Sequence, residues 1–208
     1  MRGGRLMEHT FPVKIIDTNG SSAVPPEIAK LGRQRICCFT GHRPEGLPDM
    51  GDPSSPKMAA LRDITETYIR MLINSGHDVF ITGMSRGFDL LAADILTGIP
   101  DIAGCTTLIC AVPYGGQIHE MRTDAERELY RRAALSARYA VRMFGSYNKG
   151  CYMVRNRFMV NCSSVLIGYL AKKDMVKSGS AQTFRMAQRA GLETVMIYEK
   201  DTERSLKG

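Results

Sequence analysis

Short apolar runs alternate with longer amphipathic stretches along most of this chain. Six runs have the length and composition of strands: residues 36–40, 79–82, 107–112, 140–143, 165–169 and 194–198. Helical spacing occupies the stretches near residues 57–75, 88–97, 119–137, 152–162 and 181–190. The strands are mostly unbroken apolar runs, which indicates burial on both faces of a parallel sheet. The pattern therefore predicts an open, doubly wound α/β fold.

The two ends of the chain depart from this alternation. Residues 1–34 contain clusters of glycine, serine and proline around a short apolar patch at residues 13–16. This composition predicts an N-terminal extension with one short strand and then a linker. The final segment is polar, so residues 199–208 are expected to form a frayed C-terminal tail. Residues 35–198 are the predicted folded domain.

Composition is that of an ordinary globular protein. Of the 208 residues, 44% are hydrophobic and 24% are charged, which excludes a disordered chain, a collagen repeat and a coiled coil. No stretch approaches the roughly 18 apolar residues of a membrane span, and no apolar segment follows the N-terminus as in a signal peptide, so we expect a cytoplasmic location and no membrane partner. The cysteines and histidines lack metal-ligand spacing; we expect reduced thiols, no metal and no cofactor.

Basic residues outnumber acidic ones, and most of the excess lies in one segment. The chain has 28 Lys+Arg against 21 Asp+Glu, which gives a net charge of +7. Residues 122–157 alone hold nine basic and three acidic residues. Two interpretations remain open: the segment is a solvated helix face, or it attracts an anionic partner such as a nucleotide or a nucleic acid.

Small and basic residues gather in the segments that follow the predicted strands. In doubly wound sheets, ligands bind beyond the carboxyl ends of the strands, so these segments converge on the expected site. The candidate ligand-binding residues are Gly41, His42, Arg43, Gly83, Ser85, Arg86, Gly87, Asp89, Arg155, Asn156, Ser178, Gly179, Ser180 and Thr183. Asp89 is also the candidate catalytic residue, because a carboxylate can accept ribose hydroxyls or act as a base.

The first two of these loops combine glycine with donors for an anion. Gly41 permits a sharp turn beside a ligand, and His42 and Arg43 supply donors for a phosphate or carboxylate. Gly83 and Gly87 flank a predicted helix N-terminus, where free amides and the helix dipole favour phosphate. The spacing matches neither a GxGxxG fingerprint nor a P-loop. The structural alternative is that both loops are plain turns whose residues serve packing and capping.

Two later segments complete the candidate set. The Ser-Gly-Ser sequence at residues 178–180 precedes a predicted helix, and is either a second anion nest or an ordinary serine N-cap. Arg155 and Met159 are four residues apart and share a helix face, whereas Arg157 points elsewhere. We therefore expect Arg155 to face the site and Arg157 to stay solvated.

At these loops the sequence resembles a known family. Five segments are similar, in order, to those of the YpsA/YoqJ-like proteins of the SLOG superfamily: FTGHRPEGLP, ITGMSRGFDLLAADI, AVPYGGQ, VRNRFMVNCSSVLIGYL and SGSAQTFRMAQRAG. The resemblance covers about residues 35–198. It implies a single Rossmann-like domain, an open, mainly parallel sheet with helices on both faces, a nucleotide-derived ligand and a homo-oligomer.

One better-known branch of the superfamily implies an enzyme. The Lonely Guy phosphoribohydrolases cleave the base from a nucleoside 5′-monophosphate. Their arginine-containing helix matches at Arg155, and their glycine-rich loop matches residues 179–183 in part. The position of their catalytic glutamate falls on Met186, which cannot stabilise an oxocarbenium-like centre or activate water. The same hydrolysis would therefore need Asp89 to supply the carboxylate.

Another branch implies a nucleic-acid partner. The DNA-processing protein A family loads recombinase on single-stranded DNA. Its Gly-x-x-Arg-Gly-x-Asp loop matches residues 83–89, and its Arg-Asn-Arg sequence matches residues 155–157. Such basic residues can also grip one nucleotide. The 7% aromatic content and the absence of tryptophan leave few platforms on which bases could stack, which weakens this alternative.

The leading prediction is a SLOG-type domain that binds a nucleotide or nucleotide-derived ligand, with a sensor role as one form of that function. The loops at residues 41–43, 83–89 and 178–183 would hold the phosphate and ribose, and Arg155 would clamp the charge. The alternatives are a hydrolase or transferase acting on the N-glycosidic bond of nucleoside monophosphates, and single-stranded DNA binding.

Overall fold

A single parallel sheet of seven strands organises the protein. The computed structural model describes residues 13–172 and 178–207. The strands are β1 (Lys14–Asp17), β2 (Ile36–Thr40), β3 (Val79–Thr82), β4 (Thr107–Tyr114), β5 (Tyr139–Phe144), β6 (Val165–Leu170) and β7 (Glu193–Tyr198). They lie in the order β1-β5-β4-β3-β2-β6-β7, and all the pairs are parallel.

Helices cover both faces of this sheet. They are α1 (Pro26–Ala29), α2 (Pro56–Asn74), α3 (Phe88–Gly98), α4 (Pro100–Cys105), α5 (Asp124–Ser136), α6 (Cys151–Cys162), α7 (Gly179–Arg189) and α8 (Glu199–Ser205). The helices α2, α3 and α5 share one core with the sheet, and α1, α6 and α7 share the other. The predicted fold class, an α/β sheet with helices on both faces, is confirmed.

Each central strand contributes to both cores. In β2, Cys37 and Phe39 pack on the α2–α3 side, whereas Ile36 and Cys38 pack on the α6–α7 side. Every residue of β2 is buried. Two-sided burial explains why these strands are unbroken apolar runs, since either face of a parallel sheet must exclude water.

The two chain ends contribute more than the sequence predicts. Strand β1 pairs with β5 and forms the edge of the sheet, and the Asp17 carboxylate accepts two hydrogen bonds from Arg142. Residues 199–205 form α8 instead of a frayed tail, because α8 packs on α2 and β7 and its first turn is capped by Asp201. Residues 1–12 of the predicted extension and residue 208 of the predicted tail lie outside the described residues.

The direction of the connections reverses between β2 and β6. The chain leaves β2 towards α2 on one face and leaves β6 towards α7 on the other. Open α/β folds bind ligands in the crevice at the carboxyl edge of the sheet where the connections reverse in this way. The described residues that follow β2, β3 and β6 lie at this edge.

Within residues 13–172 and 178–207, no helix is long and apolar enough to cross a membrane. No cluster of three or more His, Cys, Asp or Glu side chains there could hold a metal ion. All six cysteines are free thiols, and five of them are buried.

Candidate functional site

A cavity of about 490 Å³ occupies the crevice between β2 and β6. This volume lies within the usual range for small-molecule sites. Ten of the candidate residues line it: Gly41, His42, Arg43, Ser85, Asp89, Arg155, Asn156, Ser178, Gly179 and Ser180. Four loops or helices that are distant in sequence thus meet at one place.

A buried ion pair forms the floor of the cavity. Arg155 in α6 and Asp89 in α3 are each only about 5% exposed, and their charged groups are 3.3 Å apart. The same guanidinium donates to the Gly83 carbonyl and, at 3.0 Å, to the Ser85 hydroxyl. The Asp89 carboxylate also accepts from the Ser85 amide. Arg155 therefore fixes the loop after β3 as well as lining the cavity.

Burial and charge oppose each other at this pair. Burial raises the pKa of Asp89 above its ordinary value, while the Arg155 guanidinium counteracts that rise. Burial likewise lowers the pKa of Arg155, and the Asp89 carboxylate counteracts that shift. An arginine stays protonated even so, and the base of the cavity therefore holds a guanidinium whose charge is compensated by Asp89. The catalytic role of Asp89 stays a prediction.

The glycines of the first two loops lie in close contact with other atoms of the protein. A Cβ atom on Gly41 would lie 2.3 Å from the Phe88 side chain, and one on Gly83 would meet the Arg155 guanidinium. A Cβ atom on Gly87, where φ is +87°, would lie 2.3 Å from the His42 carbonyl oxygen. These three positions need glycine for close packing between neighbouring loops, which is the structural alternative considered for them. Gly83 and Gly87 do not line the cavity.

Arg86 also lies outside the cavity lining. Its side chain is 7% exposed, and its Nε donates to both carboxylate oxygens of Glu126 at 2.8 and 2.9 Å. A second carboxylate, that of Glu45, lies 3.2 Å from its Nη1. Two acidic partners compensate the charge of this guanidinium, which joins the loop after β3 to Glu45 and to the first turn of α5.

The start of α7 forms the opposite wall. Ser178 caps the helix by accepting from the Ala181 amide at 3.1 Å. Gly179 is exposed, and no described atom lies within 4 Å of the position of its missing Cβ. The first amides of a helix lack partners within the helix and carry the positive end of its dipole. Of the candidate glycines, Gly179 is thus the one beside open space.

Side-chain contacts hold this wall to its neighbours. The Ser180 hydroxyl donates to the Gly41 carbonyl at 2.6 Å, which joins α7 to the loop after β2. The Asn156 amide in α6 donates to the Thr183 hydroxyl at 2.8 Å. Thr183 is fully buried and does not line the cavity. It contacts the site only by holding the side chain of Asn156 in position.

His42 lies in the cavity wall with its imidazole largely buried. It is 8% exposed and packs edge-to-face against Tyr169, with the ring centroids 6.0 Å apart. Burial lowers its pKa below the ordinary 6.5. Within the described part of the chain, its buried Nε2 has no hydrogen-bond partner.

Sequence reasoning missed several lining residues. Thr40, Glu45, Gly46 and Tyr152 also border the cavity, as does Met159, which helical spacing places on the Arg155 face of α6 but which was not among the candidates. Their positions one to four residues from the candidates, on the same loops or on the same face of α6, are the signal that could have found them. Tyr152 has the most to offer chemically, because its ring lies 5.9 Å from the guanidinium carbons of both Arg43 and Arg155.

Most of the basic segment is neutralised locally. Of the nine basic residues between positions 122 and 157, six pair with carboxylates: Arg122, Arg127, Arg131, Arg132, Arg142 and Arg155. Exposed pairs of this kind contribute little to stability, but they do reduce the field that a distant anion meets. Four of these carboxylates, those of Asp17, Glu45, Asp89 and Asp94, lie outside the segment, so the excess of basic residues within it overstates its attraction for polyanions.

Comparison with known proteins gives a fold and no family. No family model matches the chain, and no curated protein matches its sequence. DNA processing protein A (DprA) from Streptococcus pneumoniae is similar at 14% identity and a TM-score of 0.45, over 94% of this chain. This chain spans only 56% of that one.

The second solved structure is more similar in shape. It concerns the single-stranded DNA binding mode of DNA processing protein A from Helicobacter pylori, and matches at 16% identity and a TM-score of 0.56. The match covers 89% of this chain and 79% of that one. Membership of the YpsA-like proteins stays a prediction. What the likeness establishes is that this chain has the Rossmann-like α/β fold that is also found in that DNA-processing protein.

Proposed function

We propose that the protein binds a nucleotide in the cavity between β2 and β6. The observation that carries this proposal is that one cavity is lined both by the buried guanidinium of Arg155 and by the first turn of α7. A phosphate suits the helix N-terminus at Gly179, where amides and the helix dipole favour an anion. The ribose and base then fill the remaining volume towards Asn156 and Tyr152.

The loop after β2 supports this arrangement. Arg43 lines the cavity with about half of its side chain exposed, so its guanidinium can turn towards a phosphate. Its present partner, Glu120, is 3.8 Å away, which is a weak contact. A half-exposed cation that lines the same cavity as the first turn of α7 can therefore contact a bound phosphate.

Gly179→Leu is the variant that separates binding from folding. The added side chain projects into open space, so the fold should be unaffected, while the phosphate position becomes blocked. We expect each binding nucleotide to lose at least about tenfold in affinity, or about 1.4 kcal/mol. Thermal-shift measurements against nucleoside mono-, di- and triphosphates find the ligand, and isothermal titration calorimetry gives its affinity.

Gly104→Leu is the matched control, because Gly104 is also an exposed helical glycine with no described atom near its Cβ position. It should leave binding unchanged. Arg155→Ala is unsuitable for this purpose, since Arg155 also holds the loop after β3. The proposal fails if no nucleotide stabilises the unmodified protein, or if Gly179→Leu binds as well as the control.

Single-stranded DNA binding is the second candidate function. The structural likeness to the H. pylori protein motivates it, and a groove of about 680 Å³ between α6 and α7 offers a surface for it. The described residues that line this groove include three arginines and no acidic side chain. They are Arg157, Gln182, Arg185, Met186, Arg189 and Ala190. Met186, the position matched to a catalytic glutamate, thus faces this groove and not the central cavity.

Salt dependence tests this candidate. If Arg157 and Arg189 contact DNA phosphates, the double variant Arg157→Ala/Arg189→Ala should flatten the plot of log affinity against log salt. The slope should fall by about 0.7 for each lost phosphate contact. Fluorescence anisotropy with a labelled oligonucleotide measures it. Arg127→Ala/Arg131→Ala on α5 is the control, and equal slopes for the two variants would exclude the α6–α7 groove.

A further inference from the structure

Three tyrosines from separate elements meet beside the cavity. Tyr114 ends β4, Tyr147 lies in the loop after β5, and Tyr152 lies in the first turn of α6. The Tyr114 ring packs edge-to-face on Tyr147 at 5.5 Å and on Tyr152 at 6.5 Å, with interplanar angles of 89° and 90°. Both contacts are within the range of about 4.5–7 Å for interacting rings. We call Tyr114, Tyr147 and Tyr152 the tyrosine platform.

One carboxylate holds the inner part of this platform in place. Glu120 accepts hydrogen bonds from the hydroxyls of Tyr114, at 2.6 Å, and of Tyr152. Burial and this carboxylate raise the pKa of Tyr114 to about 12, so its hydroxyl remains a donor at neutral pH. The rings of Tyr114 and Tyr152 are therefore held in place before any ligand binds, and the Tyr114 ring supports the ring of Tyr147.

Tyr147 is the outer member, and it is open to solvent. Its side chain is 64% exposed, although a large aromatic side chain gains free energy from burial. All residues from 145 to 150 in its loop are exposed, including the basic Lys149. An exposed ring that is supported by a second ring, with a cation two residues away, has the features of a stacking site for a base next to a phosphate.

The platform is continuous with the cavity, because Tyr152 belongs to both. We propose that the ligand has two bases joined by a phosphodiester. The first nucleotide occupies the cavity and the second base stacks on Tyr147. This inference rests on the nucleotide-binding function proposed above and names its ligand class. A dinucleotide and the end of a DNA strand share this chemistry, so the test includes both.

Affinities for matched probes test the second subsite. Calorimetry compares the four nucleoside 5′-monophosphates with the four 5′-phosphorylated homodinucleotides. In the unmodified protein, one dinucleotide should bind about 5- to 100-fold more tightly than its mononucleotide, which is the usual effect of one stacked base. Tyr147→Ala should abolish that gain without changing mononucleotide affinity. Tyr147→Phe should retain it, and Leu135→Ala, which alters an exposed apolar residue on α5, should have no effect.

A direct optical readout is available because the chain has no tryptophan. Tyr147→Trp introduces a single indole at the proposed stacking position. Its fluorescence should be quenched by the dinucleotide and unchanged by the mononucleotide. A ten-nucleotide oligomer that binds more tightly than the dinucleotide, with the same dependence on Tyr147, identifies a DNA strand as the ligand. Equal affinities identify the dinucleotide.

The remaining outcomes overturn the inference in different ways. If mononucleotides bind but dinucleotides bind no more tightly, the cavity stands and the second subsite is wrong. If neither class binds, the proposed nucleotide function fails and the subsite fails with it. If Tyr147→Ala alters the sedimentation coefficient and leaves dinucleotide affinity unchanged, the platform is a contact between copies of the chain.

Discussion

Replacing Arg155 by methionine should lower the free energy of unfolding by about 3–5 kcal/mol at pH 7, since it leaves a buried charge without its partner. The carboxylate left behind is that of Asp89, which is 5% exposed. The variant also loses the donors to the Gly83 carbonyl and the Ser85 hydroxyl. Equilibrium unfolding in urea, followed by circular dichroism, measures the change.

The destabilisation of Arg155→Met should diminish as the pH falls. Burial raises the folded-state pKa of Asp89 above 3.8, and removing the cation that opposes this rise lifts it further. In the pH range between the unfolded and folded values, the folded state holds the proton more tightly than the unfolded state does. The variant therefore loses stability as the pH rises through the folded pKa and regains it towards pH 3.8.

A double-mutant cycle gives the control. Asp89→Asn/Arg155→Met removes both charges, so it should be more stable than the sum of the two single changes predicts, because the penalty of an unpaired buried charge is absent. Additive effects, or an Arg155→Met penalty that is constant between pH 4 and 8, would contradict the role assigned to the pair.

Gly87→Ala should destabilise the protein by about 2–6 kcal/mol. The residue has φ of +87° and ψ of −126°, a conformation that costs an L-amino acid about 1–3 kcal/mol. Its new Cβ would also lie 2.3 Å from the His42 carbonyl oxygen and 2.8 Å from backbone atoms of Arg43. Backbone atoms cannot rotate away as a side chain can, so the loop after β2 must shift, at an additional cost of about 1–3 kcal/mol.

Gly76→Ala separates these two contributions. Gly76 has a similar φ of +94°, but nothing lies within 4 Å of its Cβ position. Chemical unfolding of both variants should therefore show that Gly76→Ala, which has only a conformational cost, is less destabilising than Gly87→Ala, which adds the close approach to His42. Equal destabilisation of the two variants would mean that the loops after β2 and β3 are not packed together as described.

The fold was predictable wherever strands are buried on both sides. Strand β2 begins and ends at the predicted residues because four consecutive apolar residues and Thr40 form a short run whose two faces are both buried. Strand β1 gave a weaker signal, since Lys14 and Asp17 flank its two isoleucines and most of the strand is exposed. The residues of α8 carry almost no helical signal in the sequence, because the stability of this helix comes from packing on α2 and β7.

The site was predictable to the extent that topology determines it. Loops after parallel strands meet at one edge, and helical spacing puts Arg155 and Met159 on one face of α6; both border the cavity. The partners of Arg86 could not be inferred, since Glu45 and Glu126 lie 41 and 40 residues away. The tyrosine platform was missed because its members belong to three separate elements, and the low aromatic content of the chain gives no indication that they converge.

Strand β1 also determines where the chain can be cut. Its backbone covers the outer edge of β5 through four paired residues, and the Gly20 amide extends that cover by donating to the Met143 carbonyl at 2.7 Å. A chain shortened to begin at Arg35 would expose the hydrogen-bonding groups of β5. Bare edges of this kind pair with one another, so such a truncation would favour aggregation, although it leaves every cavity residue in place.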